Sequence, residues 1–289
     1  MSTLDQATIE QLAAADPDRV LAAGFATPAV RDRLLALAAF NHELARAREV
    51  ASEPALGAIR LQWWREVLDE IFAGIPNGAS VRRHPVAQAL AAAVQTAALP
   101  RALLEALVDA RAAEFERAPF ATVAELEAWL DQGAGSLVRL SLLAGGLPAI
   151  GEVADRFARA GGVAFGLAGI LRALPWWHGR GATPLPLDLL AGQGLDADRA
   201  IADTGGASCA PTLRHLARRA VLHHREARSL ARALATASGG QGGDALAGLS
   251  YLALASRYAR QVARHGPQRP VLLIERQLRL VLAVASGRL

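Results

Sequence analysis

Apolar residues recur every three to four positions along most of this chain, which is the spacing that gathers them on one face of an α-helix. The clearest example runs from Val30 to about Val50. One face of this segment carries Leu34, Leu37, Ala38, Phe40, Asn41, Leu44 and Arg48. We find no convincing β-strand pattern and no internal repeat. The sequence therefore predicts an all-α protein with a single domain over residues 1–289.

Prolines and capping residues divide this pattern into helices. Pro85 and Pro100 each suit a first helical turn, and Thr122 with Glu125 three residues later has the form of a capping box. Pro175 is predicted to end a long helix, because proline lacks an N–H and clashes with the preceding turn. The predicted helices cover residues 30–50, 55–73, 85–98, 100–115, 122–143, 150–174, 211–236, 244–264 and 270–286, with short helices before residue 30 and near 196–203.

Composition supports helix and narrows the classes of function. Alanine, leucine and arginine, all good helix formers, dominate the sequence. All 31 basic residues are arginine, yet the formal net charge is only +4. Because no block of like charges stands out, we expect no nucleic-acid binding. The single cysteine, Cys209, rules out a disulfide scaffold.

The pattern contains no targeting signal and no membrane span. The first residues, MSTLDQATIEQLAAADPD, lack the basic and apolar regions of a signal peptide. Arg139 and Arg172 interrupt the best apolar runs. We therefore expect a cytoplasmic protein that is not secreted, either free or peripheral on the inner face of the cell membrane.

Five segments carry a resemblance to a known family. They are RDRLLALAAFNHELARAREVASEPALGAIRLQWWREVL, RHPVAQAL, VDARAAEFE, GAGSLVRLSLLAGG and GVAFGLAGILRALPWWHGRGATPLPLDLL. In order and spacing the chain resembles the squalene/phytoene synthase family, most strongly over residues 20–195. The resemblance implies a single isoprenoid-synthase-like helical domain around a central cavity.

The resemblance also implies a reaction and the residues that it needs. Members of the family condense two prenyl diphosphates head to head. Mg²⁺, held by two facing aspartate motifs, neutralises the departing diphosphate. The acids of the first motif fall here on Ala45, Arg46 and Glu49. Those of the second fall on Ala173 and near Trp176 and Trp177.

Too few carboxylates remain for that metal site. Glu49 is flanked by Arg46 and Arg48, and Glu114 stands where the family often has an aspartate. We therefore expect no metal and no cofactor, and we interpret the chain as a pseudoenzyme. The alternative is an active prenyl-diphosphate transferase in which Glu49 and Glu114 provide a reduced Mg²⁺ site.

One branch of the family has lost these aspartates in a similar way. It includes the mitochondrial assembly factor for respiratory complex I and its bacterial relatives. The strings NHELARAREVASEP, IRLQWWRE and ILRALPWW resemble that branch more than the synthases. The resemblance implies an assembly or interaction factor whose partner is a respiratory-complex subunit or another assembly protein.

Arginines at the former metal site suggest what the cavity binds. Arg46, Arg48 and Arg172 could neutralise the head of an isoprenoid diphosphate or anionic lipid through bidentate donors. Alternatively, they pair with Glu43, Glu49 or Glu114 in an inactive site. A third hypothesis is a carrier or sensor of isoprenoids. The candidate ligand-binding residues are Asn41, Arg46, Arg48, Glu49, Glu114, Arg172, Trp176 and Trp177.

Two helices near the C-terminus carry further surface features. Helix 211–236 bears an arginine stripe, which we interpret as a solvated face, with an acidic partner or an anionic membrane as the alternative. His215 and His223 on that helix are too far apart for one metal. The last helix aligns Leu273, Gln277, Leu280 and Val284, interpreted as core, with a position on a membrane as the alternative.

Overall fold

The computed structural model describes residues 4–50, 54–73, 81–116, 119–203, 207–237, 243–267 and 269–287, and this described part contains helices and no strand. The α-helices are α1 Gln6–Ala15, α2 Pro17–Ala23, α3 Pro28–Val50, α4 Pro54–Phe72, α5 Pro85–Ala97, α6 Arg101–Glu116, α7 Val123–Leu130, α8 Ser136–Ala144, α9 Glu152–His178, α10 Leu187–Ala191, α11 Ala197–Ala202, α12 Ala210–Ala237, α13 Gly243–Gly248, α14 Ala255–His265 and α15 Leu273–Ser286. A π-helical turn, Asp131–Gly135, joins α7 to α8, and a 3₁₀ turn, Ser250–Leu254, precedes α14.

Helix α9 lies at the centre of the fold. It packs most extensively against α12 and also contacts α14, α8 and the π-helical turn. By length and composition α9 could cross a membrane, but two thirds of its most apolar window is buried against the rest of the chain. It is therefore the central core helix of this fold.

The N-terminal half builds a second layer around α3. Helices α4, α5, α6 and α8 surround it, and the ring centroids of Phe40 on α3 and Trp64 on α4 lie 5.1 Å apart. Trp64 is fully buried while its neighbour Trp63 is partly exposed. This matches the helical expectation that adjacent residues point in different directions.

A close backbone contact fixes α9 against the π-helical turn. A Cβ atom placed on Gly162 would lie 2.5 Å from the backbone of Gly135. Only glycine permits this approach. The contact holds the π-helical turn against the same helix that carries Trp176 and Trp177.

The predicted cap at Thr122 is confirmed, whereas the predicted end of the long helix at Pro175 and the absence of a helix between residues 175 and 195 are wrong. The Thr122 side chain accepts from the Glu125 backbone N–H, as predicted, while the Glu125 carboxylate accepts from the N–H of Ala121. Pro175 does not end α9, which continues to His178. A proline near the end of a helix costs only one backbone hydrogen bond. The Gly179 N–H donates to the Pro175 carbonyl and so closes the last turn. The segment between residues 175 and 195, for which no helix was predicted, also contains α10.

The last helix is only partly core, contrary to our interpretation. Leu280 and Ala283 are buried, whereas Leu273 is more than half exposed. The outward face is itself apolar and carries Ile274, Leu278, Val281 and Leu282. Helical periodicity identifies an apolar face but does not show which face is buried, and α15 has two apolar faces.

Candidate functional site

A cavity of about 450 Å³ lies between α3, α6, the π-helical turn and α9. Its lining on α9 extends from Phe165 to Trp177, which is about 18 Å along the helix axis. Most of its wall is apolar and comes from Leu107, Ala110, Leu130, Leu137 and Ile170. The cavity therefore suits an elongated apolar ligand.

Ala45 on α3 and Ala173 on α9 both line this cavity. These are two of the positions at which the sequence comparison placed the acids of the aspartate motifs. A methyl group offers no ligand to a metal, and Mg²⁺ requires oxygen ligands. Neither position therefore offers a carboxylate to a metal in this cavity.

The carboxylate of Glu114 in this cavity is already neutralised. An Arg111 Nη donates to it at 2.8 Å, and an Arg48 Nη lies 3.6 Å from its other oxygen. Its side chain is only 6% exposed. Among the described residues no group of three or more His, Cys, Asp or Glu side chains could hold a metal ion. The side chains described at this site do not fit Mg²⁺.

Arginines and tryptophans form one end of the cavity. The Arg48 guanidinium lies 4.1 Å from the Trp177 ring centroid, and that of Arg180 lies 4.0 Å from the Trp176 ring centroid. Burial lowers the pKa of Arg48, the nearby Glu114 raises it, and Arg180 and Arg111 lower it further. An anionic group here would relieve the repulsion among these guanidinium groups.

The opposite end of the cavity carries Arg19. It forms an ion pair with Asp16, and its guanidinium lies 5.0 Å and 4.7 Å from the ring centroids of Phe165 and Tyr251. Burial lowers the pKa of Arg19, but its interactions with Asp16 and Tyr251 outweigh that effect and raise it. Arg19 therefore stays protonated, and its charge is already paired with Asp16.

Comparison with known proteins assigns the family. A squalene/phytoene synthase model matches residues 12–282 of the chain. The chain belongs to this family. Complex I assembly factor 6 from Rattus norvegicus is 29% identical over 194 residues, covering 67% of this chain and 56% of that protein. The Drosophila melanogaster homolog is 32% identical over 176 residues, covering 60% and 51%. The chain thus spans little more than half the length of these relatives.

Solved structures share the family's all-α fold. Squalene synthase HpnC from Alicyclobacillus acidocaldarius has a TM-score of 0.72 and 18% identity, covering 89% of this chain and 92% of that one. A dehydrosqualene synthase in complex with a ligand has a TM-score of 0.76 and 18% identity, covering 98% and 96%. At such identity these structures establish the fold alone.

Most of the candidate residues that we took from the family pattern meet in the cavity. Asn41, Arg48, Glu114, Trp176 and Trp177 all line it. Both tryptophans therefore line the cavity. Whether any of them binds a ligand stays a prediction.

The remaining candidates of the family pattern lie elsewhere. Arg46 donates to Glu43 at 2.9 Å and does not line the cavity. Arg172 lies over the Tyr258 ring at 4.1 Å and lines a neighbouring cavity that shares Ala173. The side chain of Glu49 lies outside the described part of the structure.

Sequence reasoning missed three arginines of the cavity. Arg19, Arg111 and Arg180 line it or lie over its tryptophans, but they fall outside the family's aspartate motifs. The position of Arg111, three residues before Glu114, was the one available signal, because residues at that spacing share a helix face.

Proposed function

We propose that this protein is a non-catalytic member of the squalene/phytoene synthase family that acts as an assembly or interaction factor for respiratory complex I. The relatives named complex I assembly factor 6 support this role. The proposed partner is a subunit of that complex or another assembly protein. Deleting the gene in its own host should lower complex I activity, and the wild-type gene should restore it.

The observation that carries the non-catalytic part is the pair Ala45 and Ala173 in one cavity with a neutralised Glu114. Ionising a prenyl diphosphate requires the leaving group to be stabilised as negative charge develops. Without facing carboxylates, Mg²⁺ has too few protein ligands. We propose that the protein uses no metal and no cofactor.

We further propose that the cavity binds an isoprenoid or an anionic lipid without turning it over. The apolar wall would cover the chain of such a ligand, and Arg48 and Arg180 would face its anionic head. Arginine binds phosphate oxygens in bidentate geometry. The guanidinium groups would then supply the neutralisation that Mg²⁺ supplies in the synthases.

Calorimetry with farnesyl and geranylgeranyl diphosphate, with and without Mg²⁺, followed by product analysis, tests this proposal. We expect binding that is independent of Mg²⁺ and no condensed product. Metal-dependent binding with a C30 or C40 product would instead establish the alternative, an active transferase that uses Glu49 and Glu114. The absence of binding would remove the ligand from the proposal and leave a protein scaffold.

We propose a cytoplasmic location with peripheral attachment to the inner face of the cell membrane. The outward face of α15 supports this, because Ile274, Leu278, Val281 and Leu282 are each at least half exposed. Such a face can lie in a bilayer interface. Replacing Leu278 and Leu282 by glutamate should release the protein from phosphatidylglycerol vesicles in a flotation assay. Replacing the exposed Arg228 by glutamine serves as the control.

A further inference from the structure

A basic groove lies between α12 and α14, away from the cavity described above. Arg214, Arg218 and Arg225 of α12 line it together with Arg260 of α14. The three arginines on α12 are spaced four and seven residues apart, so they share one face of the helix. They extend over about 16 Å of that helix. The groove is therefore long enough to follow a helical segment.

The base of this groove is apolar. Ala217, Val221 and Leu222 of α12 and Ala263 of α14 form it, and the cavity volume is about 470 Å³. Leu222 is 55% exposed, so apolar surface lies open between these arginines. Apolar surface exposed in a groove with a polar rim is typical of an interaction site.

The arginines of this groove lack acidic partners. Within the described part of the chain, none of the four forms an ion pair, although Arg219 on the same helix pairs with Glu127. The one acidic residue of α12, Glu226, pairs with Arg156 instead, and α14 has no acidic residue. The positive charge of the groove is thus not compensated by an ion pair with any described acidic residue.

The shape of the surface distinguishes between two kinds of partner. A bilayer presents a broad surface and binds best to apolar side chains that project from the protein, as on the outward face of α15. This groove is instead concave, with the small residues Ala217 and Ala263 in its base. A concave apolar groove accepts the side chains of an amphipathic helix.

We infer that the α12/α14 groove is a docking site for an acidic amphipathic helix of a protein partner. Apolar side chains of that helix would contact Leu222 and Val221. Its Asp or Glu side chains would pair with Arg214, Arg218 and Arg225 in charge-assisted hydrogen bonds. The inference does not depend on what the cavity binds.

A displayed library of amphipathic helical peptides with randomised polar positions tests the groove. The full-length wild-type protein serves as bait, and the Arg218→Glu/Arg225→Glu variant is used for counter-selection. We expect the enriched peptides to carry Asp and Glu beside an apolar stripe. Fluorescence anisotropy with one such synthetic peptide should show an affinity loss of at least about tenfold in this variant.

Matched variants make the result specific. Arg228→Glu/Arg232→Glu changes the same charge on exposed arginines of the same helix outside the groove, and it should weaken binding less than about threefold. If the Arg218→Glu/Arg225→Glu variant unfolds, Leu222→Glu tests the apolar base with a single substitution at an exposed position. Binding of the peptide should also weaken as salt is raised.

Four outcomes would overturn the inference. The library could yield no enrichment or peptides without acidic residues, or both double variants could lose affinity equally. Phosphatidylglycerol vesicles could bind through Arg218 and Arg225 without competition from the peptide, which would make the groove a lipid surface. The peptide assay uses neither complex I nor a cavity ligand, so a failure of the proposed function would be seen separately.

Discussion

The Arg48 guanidinium lies 4.1 Å from the centre of the Trp177 ring, at one end of the cavity between α3, α6 and α9. Arg48 also lies 3.6 Å from Glu114, so a ring and a carboxylate both orient it. An arginine held in this way is prepared to meet an anion without reorganising. This end of the cavity is thus a cationic site built from the protein's own side chains.

Replacing Arg48 by glutamine should weaken binding of farnesyl diphosphate by about tenfold, because one charge-assisted contact to the head group is lost. Binding of farnesol, which has no charged head, should change little. Arg46→Gln is the matched control, since Arg46 pairs with Glu43 outside the cavity. Calorimetry without Mg²⁺ measures the binding of each ligand to the wild-type protein and to both variants. Equal losses for the two ligands would show that Arg48 acts on the cavity's shape and not on charge.

Replacing Glu114 by glutamine should have opposite effects on stability and on anion affinity. The carboxylate is buried and paired with Arg111 and Arg48, so its loss should cost about 2–3 kcal/mol in the free energy of unfolding. Both arginines would then be free to bind a phosphate, and affinity should rise. Denaturation and calorimetry measure the two effects. A transferase that uses Glu114 predicts the contrary result, a loss of binding and turnover.

How much of the fold and the site could be predicted depends on whether a feature is encoded in local sequence spacing or only in contacts between distant segments. Helical periodicity located α3 and α9, and the order of family segments placed Asn41, Ala45 and Ala173 in one cavity. Contacts between distant segments leave no such signal, so Arg19, which lies over the rings of Phe165 and Tyr251, was missed. Arg172 was expected at the cavity, but its side chain turns to the Tyr258 ring on the other side of α9.

Gly162→Ala should destabilise the fold by about 2–4 kcal/mol, because the added methyl group would lie 2.5 Å from the Gly135 backbone. Gly169→Ala is the matched control on the same helix. Nothing lies within 4 Å of its added methyl group, and alanine favours helix, so it should stabilise by about 0.5–1 kcal/mol. Thermal and urea unfolding compare them. Similar stabilities for the two variants would contradict the close contact between α9 and the π-helical turn.

Glu127 should contribute to acid sensitivity below pH 4.5. Burial raises the pKa of Glu127, but His223, whose Nε2 lies 3.1 Å from the carboxylate, and hydrogen bonds from Arg219 outweigh that effect and lower the pKa to about 2. Because the folded pKa is depressed, this stabilisation is present above about pH 4.5 and is lost as the pH falls towards 2. Glu127→Gln should be less stable at pH 7 and should show a flatter acid limb. A parallel pH profile for the two proteins would rule out this role.

His224 should make the protein less stable as the pH falls through a window that lies above that of Glu127. Burial lowers its pKa to about 4, while a hydrogen bond to the Leu252 backbone opposes the shift and the charges of Arg228 and Arg260 add to it. The unfolded chain therefore binds a proton that the folded protein does not bind between about pH 6.5 and 4. Across this window stability should fall by an amount on the order of 3 kcal/mol. His224→Gln cannot titrate, so its stability should fall less steeply between pH 6.5 and 4.5, where only His84 and His178, whose pKa values burial also lowers, still contribute. Urea titrations at half-unit pH steps would separate the two windows, and an unchanged slope in His224→Gln would assign the effect to another group.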